Sequence, residues 1–198
     1  MEPGRTIARI LEDRAGARVY PALVPGVDAV VNSYRLAAGV SRPLEDLAVE
    51  AFLQGISANL TDAFFTCQAA AAQMVEERRT GCLVNVTSVA GVVAIPGQAA
   101  FCAAMAALSA TTKVLATEWS SYGIRVAAVA AGVSSELVAG VRTLPGVGQR
   151  VPAGAVVDHE QVAETVRFVL SEGGSGIAGV PVFVDNGWLS DGYWESLA

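Results

Sequence analysis

The chain has 198 residues, 53% of them apolar and 16% charged, with a net charge of -6 and a mean hydropathy of +0.46. The length suits one domain around one large core. The acidic balance excludes a nucleic-acid binder, since no basic stripe exists to neutralise phosphates and Arg78-Arg79 is the only adjacent basic pair. No stretch approaches 18 uninterrupted apolar residues, so no membrane span is expected. The opening MEPGRTIARI has no basic segment followed by an apolar run, so no secretory signal is expected. A chain this apolar without a span is expected to bury surface against a partner.

Cys67, Cys82 and Cys102 are odd in number and form no C-x-x-C pair. They read as small apolar thiols of a reducing, cytoplasmic protein. The single histidine, His159, sits in the first turn of a predicted helix and is expected in solvent. One histidine and no cysteine pair give no basis for a zinc site.

In chain order, Ile7, Ile10 and Leu11 fit a helix over 5–14 that Gly16 stops. Residues 18–23 read as a short strand, confined to an edge by Pro21. DAVVNS (28–33) reads as a buried strand, and a polar loop follows to about residue 44. Helical periodicity then runs to Arg79 with a break near Gly55-Ile56. CLVNVT (82–87) is a second buried strand, followed by a loop over 88–97 and an alanine-rich helix over 98–119. IRVAAV (124–129) is a third strand. The Gly, Ser and Pro-rich stretch 131–157 reads as a lid or a partner contact. Asp158 and Gln161 fit a capping box for a helix carrying Val162, Val166, Val169 and Leu170, and VPVFV (180–184) is the last strand. Alternating strands and helices with continuous apolar strands predict an α/β domain: a doubly wound, Rossmann-like parallel sheet flanked by helices, joined by right-handed crossovers. No repeat or linker divides residues 1–198.

Five fragments in order, DAVVNS, SANLTDAFFTCQAA, GCLVNVTSVAG, YGIRVAAVAAGV and IAGVPVFVDNGW, resemble the short-chain dehydrogenase/reductase family over about 28–188. The resemblance implies a catalytic asparagine at Asn59 and a catalytic serine at Ser88. It also implies a tyrosine thirteen positions after Ser88 and a lysine four further on, one helix face carrying a proton donor and its activator. Those positions hold Phe101 and Met105. The only lysine, Lys113, lies eight residues beyond Met105, about 12 Å along a helix. Tyr34 is the tyrosine expected near Phe101 in space.

The cofactor side departs from the family as well. The family holds NAD(P) at a glycine-rich turn after its first strand, and these 198 residues contain no G-x-x-x-G-x-G run. The resemblance therefore reads as a degenerate member lacking the first strand and its glycine turn, with 1–27 a degenerate N-terminal part. After Asn32 the chain has Ser33, Tyr34 and Arg35 where the family has Asn, Ala and Gly. The Pro-Gly motif is Ala131-Gly132, and a nearby threonine position falls at Glu136.

These substitutions predict no bound cofactor, NAD(P) being implied by resemblance alone. The foremost expectation is a non-catalytic subunit or binding module. It would pair with itself or with an active paralogue through helices 57–79 and 98–119, which in the family build a four-helix interface. A second expectation is a cofactor-independent lyase-, dehalogenase- or isomerase-like enzyme using Ser88, Tyr34, Arg35 or Glu136. A third is an oxidoreductase with an unusual cofactor grip. Considered alone, Ser88 reads as a loop serine that caps the backbone, and Phe101 and Met105 as core filling.

Overall fold

The computed structural model describes residues 26–34, 43–135, 137 and 150–190. The predicted helix at 5–14, the strand at 18–23, Arg35, Glu136 and residues 138–149 lie outside these residues.

Four strands, β1 (Ala29–Asn32), β2 (Gly81–Ser88), β3 (Ile124–Ala131) and β4 (Pro181–Val184), pair in parallel in the order β1-β2-β3-β4. Their register places Asn32 beside Asn85 and Ser88 beside Ala131. The helices are α1 (Val49–Ile56), α2 (Asp62–Glu76), α3 (Ala99–Trp119) and α4 (His159–Leu170). The predicted break at Gly55-Ile56 is a five-residue π-helical turn, Ser57–Thr61, inserted between α1 and α2. The helix ends at Glu76 rather than Arg79, with the Glu77 N–H donating the last i→i−4 bond to the Gln73 carbonyl. Arg78 takes a positive φ of 52°, and Arg79 turns to Asp28 and the Val27 carbonyl at the mouth of β1.

Side chains alternate across β2 and β3, and the two faces are covered by different helices. Leu83 and Val126 pack with Cys67, Ala70 and Met74 of α2 and Leu115 of α3. Val84, Val86, Ala127 and Val129 pack with Val162, Val166 and Val169 of α4. The sheet is therefore doubly covered, as its apolar strands require. Each crossover steps one strand in the same direction, yet α2 and α3 lie on one face and α4 on the other. The β3–α4–β4 crossover thus has the opposite hand to the two before it, a departure from the uniform right-handed expectation.

The capping box of α4 is present: Asp158 accepts from the Glu160 N–H and the Gln161 side chain accepts from the Asp158 N–H. His159 corrects the solvent expectation, being 7% exposed. It falls at i of the stripe His159, Val162, Ala163, Val166, so helical spacing turns it toward the sheet. By length and hydropathy α3 passes the requirement for crossing a membrane. Its inward stripe, Phe101, Ala104, Met105, Leu108, Thr112 and Leu115, is packed inside the chain.

A buried polar network fastens the first face. Asn32 Nδ2 donates to Asn85 Oδ1 (2.9 Å), Cys67 Sγ (3.2 Å) and the Ala63 carbonyl (3.3 Å). Asn85 Nδ2 donates to Thr112 Oγ1 (3.0 Å), which donates to the Leu108 carbonyl (2.8 Å). The Cys67 thiol lies 3.5 Å from Asn85 Oδ1 as a donor. Two strands and two helices meet at Asn85, itself fully buried. Asn85→Ala leaves the Cys67 thiol without its acceptor and removes one bond each from Asn32 and Thr112, which keep the Ala63 and Leu108 carbonyls, so unfolding free energy should fall by about 1–3 kcal/mol in a urea titration. A loss under about 0.5 kcal/mol would show that the network holds nothing.

Burial pushes the Cys67 thiol from an ordinary value of 9.0 up to about 11, against weaker lowering by the Asn85 and Asn32 hydrogen bonds. Burial raises Cys82 as well, with Arg125 acting in the opposite direction. A thiol whose folded pKa exceeds its unfolded one keeps its proton in the native state while the unfolded chain ionises. Stability is unaffected well below pH 9 and falls as pH climbs from 9 toward 11. Thermal melts across that range should decline more steeply for the wild type than for Cys67→Ala. Parallel declines would contradict this assignment.

Candidate functional site

The site expected from the sequence lies at the carboxyl ends of β1, β2 and β3. β2 delivers Ser88, and a short 3₁₀ turn (Val89–Gly91) follows at once. That turn rests directly on the backbone of α3. A Cβ added to Gly91 would stand 2.9 Å from the Ala106 nitrogen and 2.9 Å from the Met105 carbonyl carbon. Glycine is thus required for the loop to approach α3, and this contact sets α3 relative to Ser88.

Ser88 is buried, and its Oγ accepts from the Ala90 N–H at 3.2 Å. Of the two readings of this serine, the structure displays the backbone cap. Asn59 is buried in the π-helical turn and donates from Nδ2 to the Gly55 carbonyl at 3.0 Å. Phe101 is 5% exposed and Met105 is fully buried. Tyr34 follows β1 and is 4% exposed. Its ring meets Phe101 edge-to-face, with centroids 5.5 Å apart and planes at 69°. Such a pair is worth about 0.5–1.5 kcal/mol beyond its buried area. The expected proximity of Tyr34 to Phe101 is present.

The structure brings Tyr34, Val89, Ala90, Phe101, Met105 and Ala131 into one apolar cluster. Asn32 points instead into the network with Asn85, on the α2 side of β1. The Ser33 hydroxyl is a buried atom with no hydrogen-bond partner among the described residues. Ala131 ends β3, pairing with Ser88 and with Val184. Gly132 donates its N–H to the Val184 carbonyl at 2.8 Å. A Cβ there would lie 2.5 Å from the Asp185 Cα, so glycine lets the turn after β4 close over β3. Asp185 in turn accepts from the Gly187 and Leu189 N–H groups.

Beside this cluster a small apolar cavity of about 40 Å³ is lined by residues that include Val89, Ile95, Pro96, Val133 and Trp188. Ligand pockets run to roughly 300–1,000 Å³. No cluster of metal-ligating side chains occurs among the described residues. Positions 101 and 105 supply neither a transferable proton nor a charge. The Ser88 oxygen accepts from a backbone N–H, and the α3 positions at the spacing the resemblance implies hold a phenyl ring and a thioether.

The sequence reading leaves out Asn85 and Thr112 and takes Cys67 only as a small apolar thiol. The signal was available in CLVNVT: an amide inside an otherwise apolar buried strand must find partners there.

A family model described as enoyl-(acyl carrier protein) reductase matches residues 15–189. The chain is 36% identical over 151 residues to the uncharacterized short-chain type dehydrogenase/reductase y4vI of Sinorhizobium fredii, covering 73% of this chain and 27% of that protein. It is 36% identical over 148 residues to a Xanthobacter autotrophicus protein named inactive 2-(S)-hydroxypropyl-CoM dehydrogenase 2, covering 70% of this chain and 64% of that one. It superimposes on the acetoin dehydrogenase of Enterobacter cloacae with a TM-score of 0.74 at 26% identity, covering 97% of this chain and 73% of that one. The chain thus spans between 27% and 64% of the length of these two curated relatives. With the sheet order, the Ser88 loop and the α3 face all in the places the sequence resemblance implied, the chain belongs to the short-chain dehydrogenase/reductase family.

Proposed function

We propose that this family member has given up NAD(P)-dependent hydride transfer and works as a non-catalytic subunit or binding module of a homo- or hetero-oligomer. The observation that carries the reading is the buried apolar packing of Tyr34, Phe101 and Met105. In the family this face supplies the proton donor and the cation that activates it. Here the donor position is a ring packed against another ring, and the cation position is a thioether with no exposure. The residues present do not fit the nicotinamide end of a cofactor. Tyr34 occupies space the family leaves open with small residues, and Asn32 is committed to the α2 side of the sheet.

The binding surface of this reading is the outer face of α2 and α3. Phe65 and Val114 there are 55% and 53% exposed, far more than an apolar core residue tolerates. Its three free thiols agree with a reducing, cytoplasmic setting.

One observation favours a second reading. Tyr34 returns a phenol to the neighbourhood of Phe101, so a cofactor-independent elimination or isomerisation would draw its proton from Tyr34. Tyr34→Phe separates the two readings, since it abolishes turnover in the enzyme and leaves the binding module unchanged.

The direct test restores the lost pair. Phe101→Tyr with Met105→Lys should show no oxidation of NADH or NADPH with a panel of ketones. Measurable turnover would contradict the proposal. Met105→Lys alone should lower the melting temperature by many degrees, because it places an unpaired ammonium where exposure is zero. A melting temperature within a degree or two of wild type would mean that room for the lysine had persisted, against a filled site.

A further inference from the structure

Residues 150–156 run along the turn that follows β4, in contact at successive positions. The Arg150 guanidinium carbon stands 5.5 Å from the centre of the Trp188 ring. Pro152 packs on Gly187, where an added Cβ would sit 3.2 Å from the Pro152 Cβ. The Ala153 N–H donates to the Asn186 carbonyl at 3.2 Å. The Asn186 side chain closes the run, donating from Nδ2 to the Ala155 carbonyl (3.0 Å) and the Val156 carbonyl (3.3 Å). Its Oδ1 accepts from Gln161 Nε2 at 3.1 Å. Gln161 is also the residue whose Oε1 completes the α4 capping box. One amide thus joins the 150–156 strap, the turn after β4 and the start of α4.

Local backbone geometry makes this hub possible. Asn186 takes a positive φ of 53° and Gly187 one of 86°. Asparagine enters the left-handed region more readily than most residues with a side chain. Asp185 fixes the turn by accepting from the Gly187 and Leu189 N–H groups. The strap is anchored at Val151 and Val157, each 3% exposed, while residues 152–155 between them are exposed. A segment with few buried side chains belongs to the low-stability end of a fold, where a small set of hydrogen bonds decides between open and closed. Trp188, under the strap, lines the small apolar cavity with Val133 and Leu137.

We propose that Asn186 is a latch. Its side-chain amide holds 150–156 shut on the turn after β4, and its release lifts Arg150 and Pro152 away and opens the cavity at Trp188 while the sheet stays intact.

Native-state hydrogen exchange on the purified full chain reads the latch at the Ala153 and Val157 amides, both bonded to backbone carbonyls. Asn186→Gly removes the side chain at a φ that glycine accepts without strain. Asn186→Asp keeps the shape but sets a carboxylate against the two carbonyls. In both variants exchange at these amides should quicken at least about fivefold, while amides of β2 keep wild-type rates. Fluorescence of the apolar dye anilinonaphthalene sulfonate should rise at least about twofold over wild type. A smaller quickening in either variant would overturn the latch. So would an equal quickening across β2, which marks general destabilisation. Faster exchange with unchanged dye fluorescence would overturn the link between strap and cavity.

Discussion

Asn85 is the residue on which the rest of the fold depends. Its amide oxygen takes a hydrogen from Asn32 and its amide nitrogen gives one to Thr112. These two bonds set β1 beside β2 in register and place α3 over both. Cys67 adds α2 to the same point as a thiol held protonated by burial. A polar group at zero exposure is costly unless every bond is made, and that cost makes the arrangement specific: a slip of one residue in β1 would put Asn32 on the wrong face of the sheet. The network lies on the α2 side of β1 and β2, so it also withdraws Asn32 from the carboxyl-end cleft.

Once that frame is set, what fills the cleft follows from sterics. Gly91 lets the Ser88 loop rest on the α3 backbone at Met105, and Gly132 lets the turn at Asp185 close over β3. These contacts bring the ends of three strands and one helix together around positions 34, 101 and 105. Aromatic and thioether side chains at those positions bury apolar area that would otherwise face a wet pocket. Ser88 spends its acceptor on the Ala90 N–H, a local cap that needs no substrate to complete it. In this account the apolar packing stabilises the domain at the carboxyl ends of its strands.

Much of this was legible in the residues. Apolar strands at 82–87 and 124–129 announced a parallel sheet, because only strands buried on both faces carry no polar alternation. The strand at 28–33, also expected to be buried, carries only exposed and half-buried residues in β1, at the edge of the four described strands. Phe101 and Met105 marked a changed face only through the family resemblance, which implies a tyrosine and a lysine at those distances from Ser88. The opposite hand of the last crossover was not legible, since handedness depends on which face α4 chooses and no single residue encodes it. His159 is legible by position rather than by residue type: its spacing to Val162 and Val166 places it on the buried stripe. The Asn85 network was half legible. An asparagine in CLVNVT signals a buried partner, but Thr112 and Cys67 come from separate helices that only tertiary packing brings within reach.

The outer surface of α2 and α3 carries exposed apolar residues and carboxylates. The central claim is that the cleft no longer receives a nicotinamide. Titration of NADH and NADPH into the purified chain, followed by cofactor fluorescence and melting temperature, tests it most directly. The account predicts no saturation into the millimolar range and no shift in melting temperature, whereas saturable binding at micromolar concentrations with a rise in melting temperature would contradict it.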